Sequence, residues 1–101
     1  MSIILHCFGE SGNSYKAALT LELSGLEWTP EKVDFFNGAA RTPEFKSLNI
    51  LGEAPVMVDG TIILSQSGAI QQYVSDKSGK LGGSLQEKYE ILRWILFDNH
   101  K

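Results

Sequence analysis

Hydrophobic and polar positions change period several times along this chain, and each change marks an element. Ser2 to Phe8 (SIILHCF) is a short apolar run that predicts a buried strand. Gly9 to Asn13 reads as a loop, after which Asn13 or Ser14 can cap a helix running to about Ser24, with Gly25 as its stop. Tyr15, Ala18, Leu19, Leu23 and Leu26 are assigned to the apolar face of that helix. Trp28 to Val33 predicts a second strand. Pro30 within it points to a sheet edge, because proline has no N–H to give to a ladder. Asn37 to Thr42 is loop, and Pro43 to Leu48 predicts one or two helical turns opened by proline.

The richest stretch is Gly52 to Ser67, GEAPVMVDGTIILSQS. Val56-Met57-Val58 and Thr61-Ile62-Ile63-Leu64 are β-branched runs joined by Asp59-Gly60, a strong hairpin signal. From Ser67 to about Asp76 the apolar positions Ala69, Ile70, Tyr73 and Val74 take helical spacing. Ser65-Gln66-Ser67 thus brings hydroxyls and helix N-terminal N–H groups to one corner, where a carboxylate can be held. The order β-α-β-α-β-β-α implies an α/β domain with a mixed four-stranded sheet. A right-handed crossover makes its first two strands parallel, and the hairpin makes its last two antiparallel.

Ser78 to Gly83 is a glycine-rich break before a last helix, Leu85 to Lys101. Tyr89, Ile91, Leu92, Trp94, Ile95, Leu96 and Phe97 put apolar groups on nearly all its sides, so it expects protein around it. The expected organisation is a domain over 1–78, a linker over 79–83, and the start of an all-helical second domain, cut short, over 84–101.

Composition narrows the function classes. A chain of 101 residues, 43% hydrophobic and 21% charged, suits one small globular domain with one core. A net charge of −3 without a basic run argues against a nucleic-acid partner. No apolar stretch approaches a membrane span, and the N-terminus lacks the marks of a signal peptide. The single Cys7 excludes an internal disulfide and a thiolate metal cluster, and it fits the cytoplasm. His6 and His100 are too few and too unpaired for a zinc site, so no metal is expected.

Three motifs then occur in order: SGNSYKAALTLELSGL (Ser11 to Leu26), RTPEFKSLNILGEAPVMVDG (Arg41 to Gly60) and LSQSGAIQQYV (Leu64 to Val74). Together they resemble the N-terminal, thioredoxin-like domain of cytosolic glutathione S-transferases over residues 2 to 80. The closest flavour is the bacterial, serine-type branch related to the theta, zeta and nu classes. The tail from Ser84 resembles the start of the family's helical domain.

The resemblance implies glutathione as co-substrate, an electrophilic small molecule as second substrate, and a homodimer when full length. It places Ser11 where a hydroxyl hydrogen-bonds the glutathione sulfur, with Asn13 as its rival and Ser14 nearer a capping role. It implies a cis Pro55 that leaves the main chain of Ala54 free to pair with the cysteinyl backbone. Gln66 and Ser67 match the pair that holds the γ-glutamyl end, although Ser67 can equally be a plain helix cap. Glu53 stands where relatives carry lysine or glutamine, which leaves Arg41 or Lys46 to face the glycyl carboxylate. Asp98 matches a position from which some classes reach the γ-glutamyl amine across a dimer. Serine at both 11 and 14, where related redox proteins carry cysteines, excludes dithiol chemistry at this loop. Cys7 reads as a core residue.

Three functions are compatible with this pattern. One is a glutathione transferase. A second is a non-catalytic module of the same fold used for assembly, and a third is a glutathione-dependent disulfide reductase or peroxidase.

Overall fold

The computed structural model describes residues 2–9, 11–34, 38, 42–49, 53–80 and 85–99. Eight elements follow in order: β1 (Ile3–Cys7), α1 (Gly12–Ser24), β2 (Trp28–Lys32), α2 (Pro43–Leu48), β3 (Val56–Asp59), β4 (Ile62–Ser65), α3 (Ser67–Ser78) and α4 (Leu85–Asn99). The strands form one sheet in the order β2-β1-β3-β4. β1 and β2 are parallel, while β3 pairs antiparallel with both β1 and β4. Pro30 lies on the edge strand, opposite Leu5.

The sheet has a core on each face. On one, Ile3, Leu5 and Met57 pack against Ala17 and Leu21 of α1 and Ile70 and Val74 of α3. On the other, Val56 packs with Val33 and with Phe45 of α2. Alternation along β3 therefore buries both neighbours, Val56 on one face and Met57 on the other. His6 shares the second face and meets the Phe45 ring edge-on at 6.4 Å. Burial there lowers the His6 pKa from its ordinary value, against a smaller opposing effect of Glu31.

Three local expectations are corrected. The first concerns the α1 cap. Ser11, not Asn13 or Ser14, holds that position, with extended backbone and Oγ accepting from the Ser14 N–H at 3.0 Å. That spacing fits the cap geometry, in which the side chain reaches the third helical N–H. Ser14 is instead buried, and its hydroxyl accepts from the Phe8 N–H at 3.4 Å.

The second correction concerns the buried face of α1, which is Ser14, Ala17, Leu21 and Ser24. Tyr15, Leu19 and Leu23 point outward, and Ala18 and Leu26 are partly buried at the margin. α1 packs mainly on α3, and small side chains on the inner face let two helices approach closely. Serine in a buried stripe hides it from a hydrophobic count.

The third is the hairpin turn, which sits one residue later than the Asp59-Gly60 pair suggests. Asp59 pairs with Ile62 in the ladder, so Gly60 and Thr61 make the turn, with Gly60 at φ +62°. Primed hairpin turns need positive φ at their first central residue, which glycine adopts without strain. α3 also runs two residues further than its pattern indicated, ending at Ser78 before Gly79 at φ +71°.

Candidate functional site

The starts of α1 and α3 meet the segment before β3 around a small polar cavity of about 80 Å³. Its walls are Asn13 from α1, Asn49, Glu53, Ala54 and Pro55 from the segment between α2 and β3, and Gln66 and Ser67 from α3. Five residues singled out from the sequence, Asn13, Ala54, Pro55, Gln66 and Ser67, are thus brought onto one surface. Ser11 caps the same α1 terminus just before Asn13. The Ala54–Pro55 bond is cis. Arg41 lies outside the described residues, and Lys46 is exposed in the last turn of α2, off the cavity wall.

Electrostatics favour an anion here. Two helix N-termini, each carrying partial positive charge, converge on one space. Glu53 is the one carboxylate among the described lining residues, and it is exposed to solvent.

The entry to α3 has an unusual backbone. Gln66 occupies the cap position at φ 73° and ψ 118°, and its side chain makes no capping bond. A non-glycine residue there carries a cost of about 1–3 kcal/mol, and such strain clusters where a ligand is gripped. Ser67 is consequently the first helical residue rather than the cap, and it is 3% exposed.

Asn49 went unnoticed as a site residue in the sequence. It is 6% exposed and stands at the C-cap of α2, where its N–H donates to the Phe45 carbonyl at 3.0 Å. Its side-chain Nδ2 donates to the Glu53 carbonyl at 2.7 Å. The one available signal was an asparagine directly after a predicted helical turn, which is also common in ordinary loops.

A second hollow of about 160 Å³ flanks the β1–α1 loop and is apolar, with Cys7, Phe8, Tyr15 and Ala18 in its wall. Burial there pushes the Cys7 thiol up from its ordinary pKa, against a weaker backbone hydrogen bond from the Glu31 region. Asp98 forms an ion pair with Lys16 of α1, within the chain. Among the described residues no three His, Cys, Asp or Glu side chains cluster as metal ligands would. No helix among them is long and apolar enough to cross a membrane.

A four-stranded mixed sheet of this topology, with helices on both faces, defines the thioredoxin-like α/β class. Residues 1–76 match the N-terminal domain family of glutathione S-transferases, and the chain belongs to that family. Glutathione S-transferase 1 of Dianthus caryophyllus is 40% identical over 73 residues, covering 72% of this chain and 33% of that protein. Elongation factor 1-gamma 3 of Oryza sativa subsp. japonica is 32% identical over 100 residues, covering 96% of this chain and 24% of that protein. A glutathione transferase from Pseudomonas putida, solved with glutathione disulfide bound, superposes with a TM-score of 0.87 at 32% identity. That match covers 95% of this chain and 44% of the bacterial one. The chain spans less than half the length of these relatives. They come from plants and a bacterium, so they define the family and not the bacterial serine-type branch expected within it.

Proposed function

We propose that this domain binds glutathione in the polar cavity and that Ser11 stabilises its thiolate for attack on an electrophilic small molecule. The protein is then a glutathione transferase. The observation that carries this reading is the convergence of Asn13, Ala54, Pro55, Gln66 and Ser67 on one cavity between two helix N-termini.

The γ-glutamyl carboxylate takes the Ser67 hydroxyl and the α3 terminus, with Gln66 on the amino-acid end. The cysteinyl backbone pairs with the main chain of Ala54 as a short added strand beside Pro55. That sets the thiol toward the α1 terminus. The Ser11 Oγ accepts a hydrogen bond from the Ser14 N–H, and a hydroxyl that accepts one bond still has its own proton to donate. Donation to sulfur, at about 1.5–3 kcal/mol, lowers a thiol pKa by roughly one to two units. A thiol starting near about 8.5 then titrates at roughly 6.5–7.5, so a substantial fraction is thiolate at neutral pH, and the α1 dipole acts in the same direction.

The thiolate electron pair forms the new S–C bond while the electrophile's leaving group departs with its own pair. Asn13, on the cavity wall, is placed to orient the sulfur. Arg41 is the candidate cation for the glycyl carboxylate, which Glu53 would repel. Cys7, with its thiol pushed up by burial, stays out of the chemistry. On this reading the whole protein is a cytoplasmic homodimer. Residues 1–78 form its glutathione-binding unit, 79–83 a linker and 84–101 the start of a helical domain.

A second reading has its own support. The elongation factor 1-gamma match extends over 96% of the chain, whereas the carnation transferase match covers 72%. The likeness to an elongation factor supports a non-catalytic assembly module, although a glutathione transferase covers 95% of the chain at the same 32% identity. Calorimetric titration of the full chain with glutathione separates the two. For the transferase, wild type binds, Ser67→Ala weakens binding about tenfold or more, and Ser11→Ala raises the bound thiol's pKa with little change in affinity. A wild-type chain that takes up no glutathione removes the enzyme reading and leaves the assembly module.

A further inference from the structure

The Asn49 side chain reaches back across the segment that leads into β3 and donates to the Glu53 carbonyl at 2.7 Å. That carbonyl belongs to the peptide unit whose N–H is that of Ala54. The cis bond in this segment is the next one, Ala54–Pro55. In a trans peptide the C=O and N–H point in opposite directions. With the carbonyl turned toward Asn49, the Ala54 N–H must turn away from it. One side-chain bond thereby sets the orientation of the main-chain group on the cavity wall.

Asn49 is itself held from behind. Its N–H donates to the Phe45 carbonyl, and Phe45 is 7% exposed in the cluster with Val33 and Val56, against which Ala54 also packs. The first turn of α2 is fixed by the Thr42 hydroxyl, which accepts from the Phe45 N–H at 3.2 Å. A short helix anchored on the sheet thus carries an amide that reaches the cavity wall. A buried carboxamide makes a well-defined hydrogen bond because leaving it unmade costs about 1–3 kcal/mol.

We infer that Asn49 is a positioning residue for the bound peptide: it orients the Glu53–Ala54 peptide plane so that the Ala54 N–H meets a carbonyl of the ligand. The inference rests on the glutathione reading above, in which that carbonyl is the cysteinyl one. Asn49→Ala removes the tether without adding charge to the cavity.

The test compares two ligands on the full chain by calorimetry: glutathione, and an analogue whose cysteinyl carbonyl is replaced by methylene. Asn49→Ala weakens glutathione about tenfold, the size expected for one oriented hydrogen bond. It changes analogue affinity less than about twofold, because the group served by Ala54 is already gone. The bound glutathione thiol keeps its pKa, since Ser11 is untouched. An equal loss for both ligands, or none for glutathione, overturns the inference while leaving the glutathione reading in place. A wild-type chain that binds no glutathione overturns both.

If Asn49→Ala does not fold, the wild-type Ala54 amide resonance serves instead. It moves downfield with glutathione and not with the analogue, and an amide that ignores glutathione refutes the role assigned to Asn49.

Discussion

The Tyr73 hydroxyl in the middle of α3 donates to Oδ2 of Asp59 at 2.5 Å, at the turn end of β3. Lys77, one turn further along α3, pairs with the same oxygen. The Asp59 side chain is 10% exposed and that of Lys77 42%, so this junction ties the hairpin to the helix with its lysine end open to solvent. It became possible because Asp59 lies in the ladder and not in the turn.

Lys77, and then Tyr73, hold the Asp59 carboxyl below its ordinary pKa. A carboxylate depressed in the folded state stabilises the protein above its unfolded pKa, and that stabilisation is lost as pH falls through the folded value. Unfolding midpoints are therefore expected to drop below about pH 4. Asp59→Asn should lower stability at neutral pH and flatten the acid limb of a denaturant-versus-pH series. Tyr73→Phe should cost about 1 kcal/mol at neutral pH.

Ser11 has a capping role visible in the fold and a proposed role toward sulfur, and two substitutions separate them. Ser11→Ala should cost about 1 kcal/mol of stability, whereas glycine at a cap position costs only a few tenths. Both Ser11→Ala and Ser11→Gly should raise the pKa of bound glutathione by roughly one to two units. Chemical denaturation measures the first effect and thiolate ultraviolet absorbance across pH the second. A bound thiol pKa that stays as low in Ser11→Gly as in wild type would transfer the role to Asn13.

Backbone strain at Gln66 should trade stability against binding. Glycine relieves a positive-φ cost of about 1–3 kcal/mol but adds roughly 0.5–1 kcal/mol of chain entropy to the unfolded state. Gln66→Gly is therefore expected to be more stable by about 1 kcal/mol and to bind glutathione more weakly. Paired denaturation and titration of the variant test both halves, and a destabilised Gln66→Gly contradicts the strain reading.

The two faces of α1 should respond differently. Leu21 is fully buried, and Leu21→Ala should cost about 2–5 kcal/mol. Leu23 is 58% exposed, so Leu23→Ala should stay within about 0.5 kcal/mol of wild type in the same denaturation assay.

The architecture was legible because each element carries a local signal. Gly25 and Gly79 stop helices, Pro43 starts one, and Pro30 marks the edge strand. The inner face of α1 was misread for a physical reason: Ser14, Ala17 and Ser24 are buried by what folds around α1, which no single-helix pattern contains. The hairpin turn falls at Gly60-Thr61, and Asp59, left in the ladder, meets partners on α3 that no local pattern contains.

The candidate site divides the same way. Gln66 and Ser67 stand out from the residues themselves, as polar groups where a hairpin feeds a helix, whereas Ser11, Asn13, Ala54 and Pro55 are picked out through the resemblance to the family. Their gathering on one cavity, the positive φ of Gln66 and the reach of Asn49 to Glu53 belong to the tertiary structure. Residue order determines where helices and strands begin. Which of their ends meet, and which buried amide then orients the wall between them, depends on how both faces of the sheet are packed.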